Sequence, residues 1–160
     1  MKKVIFTLAL AMGFAFAAYS QNYDSAIGLR LGYPTSVSYK KFISEPGAIE
    51  VFAGFRSYPF YNWFNVGGLY EHHWQLPSIT DGLSWYAGGG ASVFFWSYDD
   101  GFVGDGSTSV GILGTIGLDY KFEDAPINVS LDWLPIFFLN GYGDSFGGRY
   151  GALSVRYVIK

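Results

Sequence analysis

The stretch "GILGTIGLDYKF", residues 111–122, separates into two kinds of side chain when every second residue is taken. One set, which begins at Val110, is apolar and ends in Tyr120 and Phe122, while the other is small or charged apart from Leu113. A repeat of two residues predicts a β-strand with two unlike faces. An inward apolar face would give a soluble barrel or sandwich, and an outward one would give a membrane barrel.

The composition of the chain favours the membrane barrel. Charged residues make up 14% of its 160 residues, against roughly 25% in an average globular domain, and aromatic residues make up 21%. Its 22 glycines are about twice the usual share. The net charge of −3 leaves no basic footprint, so we expect no nucleic-acid partner. The chain has no cysteine, which excludes a disulfide framework and an N-terminal lipidated cysteine.

The first residues are typical of a secretory signal peptide. Two lysines precede an apolar run over residues 4–16, which is too short to span a bilayer as a helix. Small residues then offer two cleavage sites, after Ala17 or after Ser20. We favour the second site, which predicts a signal peptide at 1–20 and a single outer-membrane β-barrel domain at 21–160.

Alternating segments bounded by turn residues predict eight strands in the rest of the chain. They run over residues 25–33, 36–43, 48–57, 63–75, 84–97, 108–122, 127–138 and 149–159. Most reach the roughly 9–11 residues that a membrane-spanning strand needs. Eight is an even number and the smallest usual size of a bacterial membrane barrel. The predicted fold is therefore all-β: an eight-stranded, antiparallel, up-and-down transmembrane β-barrel.

The connections between these strands alternate in length. With the mature N-terminus in the periplasm, the periplasmic turns are 44–47, 77–82 and 123–126, and the outer loops include 58–62, 98–107 and 139–148. Short periplasmic turns and longer outer loops are expected in such barrels. The first outer connection, at residues 33–35, is an exception because it is very short.

The polar face of the strands predicts the contents of the lumen. Most of its residues are Gly, Ala, Ser and Asn, which suit an eight-stranded lumen only wide enough for side chains. Its charges are nearly balanced in sign, as buried charges must be paired. The predicted lumen network comprises Arg30, Lys40, Glu50, Arg56, Glu71, His73, Asp119, Lys121, Asp132 and Arg156.

The apolar face carries aromatic residues where strands are expected to meet the membrane interface. The predicted aromatic girdle comprises Phe64, Trp74, Trp85, Phe95, Tyr120, Phe122 and Tyr157. The alternative is a soluble, lipocalin-like carrier barrel with these residues inside. Its exterior would then consist mostly of glycine and serine, which is a poor surface for solubility.

Several segments together resemble small outer-membrane β-barrel proteins of Gram-negative bacteria. They are "GLRLGYPTSVSYKKF", "AIEVFAGFR", "GLYEHHW", "LSWYAGGGA", "PINVSLDWLPIF" and "GALSVRYVIK". The similarity covers nearly the whole mature chain and is greatest to a largely uncharacterised group of single-domain, eight-stranded barrels. It implies the cell outer membrane as the location, outer-membrane lipid as a partner, and insertion by the barrel assembly machinery, with Tyr157 as the aromatic residue near the end.

The segment "EHHW", residues 71–74, holds both histidines and is the first candidate for chemistry. Neighbouring residues of a strand point to opposite faces, so His72 and His73 do not act on one ligand. We expect His73 to share the lumen with Glu71, and His72 to lie at the membrane interface. Barrel enzymes that act on outer-leaflet lipid place their His and Ser groups toward the outer side, whereas these histidines are expected near the periplasmic end.

Three further features have structural interpretations. The loop "YDDGFVGDGS" brings together Asp99, Asp100 and Asp105, but its spacing does not match an EF-hand, so we favour a solvated loop over a Ca²⁺ or headgroup site. The glycines at 88–90 relieve crowding or permit bending. Pro135 removes one ladder hydrogen bond and is expected to end pairing or begin a bulge.

These observations predict a non-enzymatic envelope or surface protein without cofactor or metal, and a monomer. Binding through the outer loops would use Phe102, Tyr142 and Phe146, and the ligand is left open. The alternative is a small transporter or a lipid-modifying barrel enzyme, in which His73 would act.

Overall fold

The computed structural model describes residues 23–98, 107–140 and 145–159. The strands in these ranges are β1 (Ser25–Tyr33), β2 (Ser36–Ser44), β3 (Gly47–Ser57), β4 (Tyr61–Gln75), β5 (Leu83–Tyr98), β6 (Ser107–Lys121), β7 (Ile127–Trp133), β8 (Ile136–Phe138), β9 (Phe146–Gly147) and β10 (Gly151–Ile159). In this part of the chain there is no helix that is long and apolar enough to cross a membrane.

The strands form one antiparallel sheet that closes on itself. Each strand from β1 to β6 pairs with the next, and β1 also pairs with β10. The strand β6 pairs with both β7 and β8, while β10 pairs with β7 and β9 pairs with β8. The strands β7 and β8 occupy one position in the sheet, one after the other, and β9 and β10 likewise share the next position. The barrel therefore has eight strand positions. The predicted closed, eight-stranded antiparallel barrel is confirmed.

The wall differs from the predicted strands at its seventh and eighth positions. The strand expected over 127–138 is interrupted at Leu134 and Pro135, where the proline has no N–H for the ladder. The Pro135 carbonyl still accepts from the Gly114 N–H at 2.9 Å, and the Leu134 N–H donates to the Tyr150 carbonyl at 2.9 Å. The eighth strand begins at Gly151 rather than at residue 149, and the short strand β9 was not predicted.

The alternation of side chains sets the two environments of the barrel. In β1, Leu29 faces outward and is 52% exposed, whereas Arg30 faces the lumen and is 2% exposed. Val37 and Ser38 of β2 differ in the same way. The soluble-carrier alternative required the large apolar side chains inside and is therefore wrong. An apolar exterior around a closed ladder leaves no unpaired strand edge to lipid.

Two glycines are needed for local geometry. At Gly67 in β4, an added Cβ would overlap the ring of Phe52, so the missing side chain makes room for an aromatic residue in the lumen. Gly82, in the turn before β5, has φ of 79°, a conformation that L side chains rarely adopt.

Several sequence predictions lie outside the described residues. They are the signal peptide at 1–20, the acidic side chains at Asp99, Asp100 and Asp105, and the exposed aromatic candidates Phe102 and Tyr142. These stay predictions, as does the domain boundary at 20/21. Phe146, the third aromatic candidate, is described and is 59% exposed.

Candidate functional site

The lumen contains an ionic network that lies between two apolar clusters. The end of the barrel with the β3–β4 connection is called the outer end and the opposite end the periplasmic end, as predicted from the sequence. Toward the outer end, the guanidinium of Arg30 lies 5.5 Å from the ring of Phe52. Toward the periplasmic end, His73 packs edge-on against Phe42 at 4.9 Å between ring centroids. The charged groups are thus shielded from both ends of the barrel by apolar side chains.

Lys40 is the centre of this network and is fully buried. Its Nζ lies 2.7 Å from Glu71, 3.3 Å from Asp119 and 3.8 Å from Glu50. The same ammonium lies 4.5 Å from the centroid of the Tyr86 ring. One cation from β2 therefore joins carboxylates from β3, β4 and β6 across the lumen.

Glu50 connects two arginines to the same network. Its Oε1 accepts from Arg156 at 2.6 Å and from Arg30 at 3.0 Å. Arg30 also donates to Asp132 at 2.8 Å, and the Tyr86 hydroxyl donates to the other oxygen of Asp132 at 3.1 Å. Charge-assisted hydrogen bonds of this kind are roughly twice as strong as neutral ones.

The structure brings together eight of the ten residues of the predicted lumen network: Arg30, Lys40, Glu50, Glu71, His73, Asp119, Asp132 and Arg156. Arg56 and Lys121 are only partly buried and lie apart from it. Lys121 donates to the Phe122 carbonyl at 2.6 Å, near the periplasmic end. The ion pairs therefore join three permanent cations and four carboxylates, with His73 as the eighth member.

The two histidines point to opposite sides of β4. His73 lies in the lumen, where its Nε2 is 3.0 Å from Glu71 and its Nδ1 is 3.2 Å from the Ser84 hydroxyl. His72 faces outward and contacts Trp74 at 4.4 Å between ring centroids. The pair therefore offers no joint metal site.

Glu71, His73 and Ser84 form a chain of the residue types that hydrolases use for nucleophilic catalysis. In this chain, however, Ser84 is fully buried, and a substrate carbonyl needs access to the serine oxygen. Glu71 is also held by Lys40 at 2.7 Å. The arrangement therefore lies within the buried interior of the barrel. No group of three His, Cys, Asp or Glu side chains in the described ranges is arranged to hold a metal.

A large apolar cluster in the outer half of the lumen was not predicted. It consists of Phe52, Trp63, Leu69, Phe94, Leu113, Leu134, Ile136 and Tyr150. It explains Leu113, the apolar exception on the polar face of β6, which is 3% exposed and packs in this cluster. Large apolar residues at inward positions of several strands, such as Phe52 and Leu69, were the available signal.

A smaller apolar cluster lies toward the periplasmic end. It consists of Tyr23, Ala26, Phe42, Ala48 and Val158. The Tyr23 hydroxyl donates to Asp119 at 3.3 Å, so the cluster is tied to the ionic network above it. The described part of the lumen thus holds an apolar cluster, an ionic network and a second apolar cluster in succession.

The residues of the predicted girdle lie on the outer surface, in two groups. Toward the periplasm, Trp74 stacks on Trp85 with centroids 4.1 Å apart. In the same region Tyr120 and Phe122 meet edge-on at 4.8 Å, and Tyr157 is 60% exposed. Toward the outer end, Phe64 and Phe95 stack at 6.3 Å.

The chain and its fold were compared with known protein families, curated proteins and solved structures. No protein-family profile matches the chain, and no curated protein matches it. Among solved structures, the crystal structure of neisserial surface protein A (NspA) matches with a TM-score of 0.53, over 86% of this chain and 93% of that one. The fold is that of a small outer-membrane β-barrel. At 15% identity, the similarity to NspA shows the fold and not a shared role.

The match agrees with the chemistry of the surface. The apolar exterior places this barrel in a membrane, and closed barrels of this kind are the form in which strands cross bacterial outer membranes. The resemblance inferred from the sequence is thus confirmed at the level of the fold.

Proposed function

We propose that this protein is an integral outer-membrane barrel with a sealed lumen and a non-enzymatic role at the cell envelope. The observation that supports the proposal is the ionic network in the lumen, which lies between two apolar clusters. In an eight-stranded barrel the interior is just wide enough for side chains, so little room is left for a pore. What the protein presents to its surroundings is then its outer rim.

Conductance in planar lipid bilayers tests this proposal. We expect no current steps from the purified, folded protein, with a larger porin in the same bilayer as the positive control. Stable steps from the wild-type barrel would contradict the sealed lumen and favour the small transporter. Heat-modifiable migration on gels confirms that the sample is folded before it is used.

The second candidate is a lipid-modifying enzyme, for which the Glu71–His73–Ser84 arrangement is the specific observation. Burial of Ser84 argues against it. Labelling with a serine-reactive fluorophosphonate separates the two: we expect no labelling of the folded barrel. Labelling that disappears in Ser84→Ala, with the fold retained, would establish an enzyme instead.

The proposal includes the partners and processing expected from the sequence. We propose a monomer surrounded by outer-membrane lipid, which the barrel assembly machinery inserts after removal of residues 1–20. Closure of the sheet between β5 and β6 supports a monomer, because an open sheet would need a partner along its edge.

A further inference from the structure

Arg56 lies near the outer end of β3, at the mouth of the lumen, and is held there by two tyrosines. Its guanidinium carbon is 4.7 Å from the ring centroid of Tyr33 and 5.4 Å from that of Tyr58. Its Nε donates a hydrogen bond to the Tyr58 hydroxyl at 3.1 Å. The side chain is therefore fixed in orientation at the rim, although it is only partly buried.

Among the residues that the structure describes, the Nη edge of this guanidinium has no partner. Within residues 23–98, 107–140 and 145–159, no carboxylate lies within 4.0 Å of Arg56, and both Nη groups lack a hydrogen-bond partner. By contrast, Arg30 and Arg156 use their Nη groups on Glu50. Two parallel Nη donors on a fixed plane match a carboxylate or phosphate oxyanion in bidentate geometry.

The connection that follows Arg56 carries further aromatic rings. The loop between β3 and β4 stacks Tyr58 on Tyr61, with centroids 4.8 Å apart and an interplanar angle of 24°. Phe60, at the tip of the loop, is 70% exposed. The hydrogen bonds of Tyr58 with Tyr33 and with Arg56 lower the pKa of its phenol. Rigid aromatic faces next to a fixed cation offer both an apolar and a charged contact.

We propose that this mouth cluster, defined by Tyr33, Arg56, Tyr58, Phe60 and Tyr61, binds an acidic carbohydrate outside the cell. The Arg56 fork would hold the carboxylate of the sugar, and the C–H face of the ring would pack against the exposed aromatic residues. Saccharides fit better than free anions, since an anion would leave the aromatic surface unused. The inference rests on the proposed function, because it requires the mouth to face outward.

Calorimetric titration of the full-length, detergent-folded protein tests the inference. The probes are a glucuronic-acid-containing disaccharide, a neutral glucose disaccharide, inorganic phosphate and an acidic tetrapeptide. We expect the acidic disaccharide to bind most tightly. Arg56→Gln should weaken this binding at least about tenfold, because it removes a charge-assisted bidentate contact.

Two further variants make the result specific. Arg56→Lys keeps the charge and loses the fork, so its affinity should also fall. Arg149→Gln removes an exposed cation from the last outer connection and serves as the matched charge control, so its affinity should stay near that of the wild type. Heat-modifiable migration shows that each variant is folded.

Three results would overturn the inference: no binding of the acidic disaccharide, equal losses in Arg56→Gln and Arg149→Gln, or binding of phosphate or the peptide as tight as that of the saccharide. Titration in detergent does not depend on orientation or on conductance. A sealed barrel that binds no saccharide would therefore disprove only the ligand, and a conducting barrel that binds it would disprove only the proposed function.

Discussion

Replacement of Lys40 by Met should lower the free energy of unfolding of the barrel more than any substitution on its surface. Lys40 is fully buried, and its ammonium is shared by Glu71, Asp119 and Glu50 at 2.7–3.8 Å. Met is of similar length and apolar, so packing is largely retained while the cation is lost. The carboxylates then remain in the lumen without their common counter-ion.

The size of the effect follows from the burial of these charges. Removal of one partner of a buried ion pair costs about 3–5 kcal/mol, because the other charge stays desolvated and unpaired. With a denaturant slope of about 1–3 kcal/mol per M of urea, the unfolding midpoint should fall by at least about 1 M. Tryptophan fluorescence of the barrel in lipid vesicles, measured against urea, reports this midpoint.

The neighbouring residue provides the matched control. Lys41 lies next in the same strand but faces outward and is exposed, so Lys41→Met removes the same charge without uncovering a carboxylate. We expect its free energy of unfolding to stay within about 0.5 kcal/mol of the wild type. Adding Glu71→Gln to Lys40→Met should restore part of the lost stability, since it removes one uncompensated anion. Equal midpoints for Lys40→Met and Lys41→Met would refute the reasoning.

Two other changes are tested in the same unfolding assay. Gly67→Ala should destabilise the barrel by about 1–3 kcal/mol, because its Cβ would overlap the ring of Phe52. Gly68→Ala on the outward face should cost little, because its Cβ would make only ordinary contacts at 4.0 Å, and similar losses for both variants would contradict this. Leu29→Arg, in the middle of β1 on the lipid face, should cost about 2–4 kcal/mol in vesicles. Phe60→Arg in the outer loop should change the free energy of unfolding little. If Leu29→Arg also left the free energy of unfolding unchanged, this would argue against burial of Leu29 in lipid.

The period-two pattern was enough to predict which residues face lipid and which face the lumen. The bounds of β1 to β6 differ from the predicted ones by at most two residues, because turn residues mark their ends. Pro135 was a further local signal, since a missing N–H interrupts a ladder in any barrel. The local pattern predicts which side of the sheet a side chain lies on. It does not predict how far along the barrel axis the residue lies.

Height depends on strand tilt and stagger, which are properties of the closed sheet. For this reason the sequence grouped Arg56 and Lys121 with the network, although each lies near an end of the barrel. For the same reason it did not reveal that Tyr23 reaches Asp119, 96 residues away, or that inward apolar residues gather in one outer cluster. The position of Arg56 at the mouth of the lumen could not be predicted for the same reason.

We expect the apolar set of β6 to contact lipid while the interior of the barrel is packed and dry. Nuclear Overhauser contacts of methyl-labelled protein in lipid nanodiscs test it directly. We expect contacts with lipid acyl chains from Ile112, Ile116 and Leu118, which are 48–53% exposed, and none from Leu113 or Leu69, which are 2–3% exposed. Lipid or water contacts at Leu113 and Leu69, or their absence at the other three, would contradict the account.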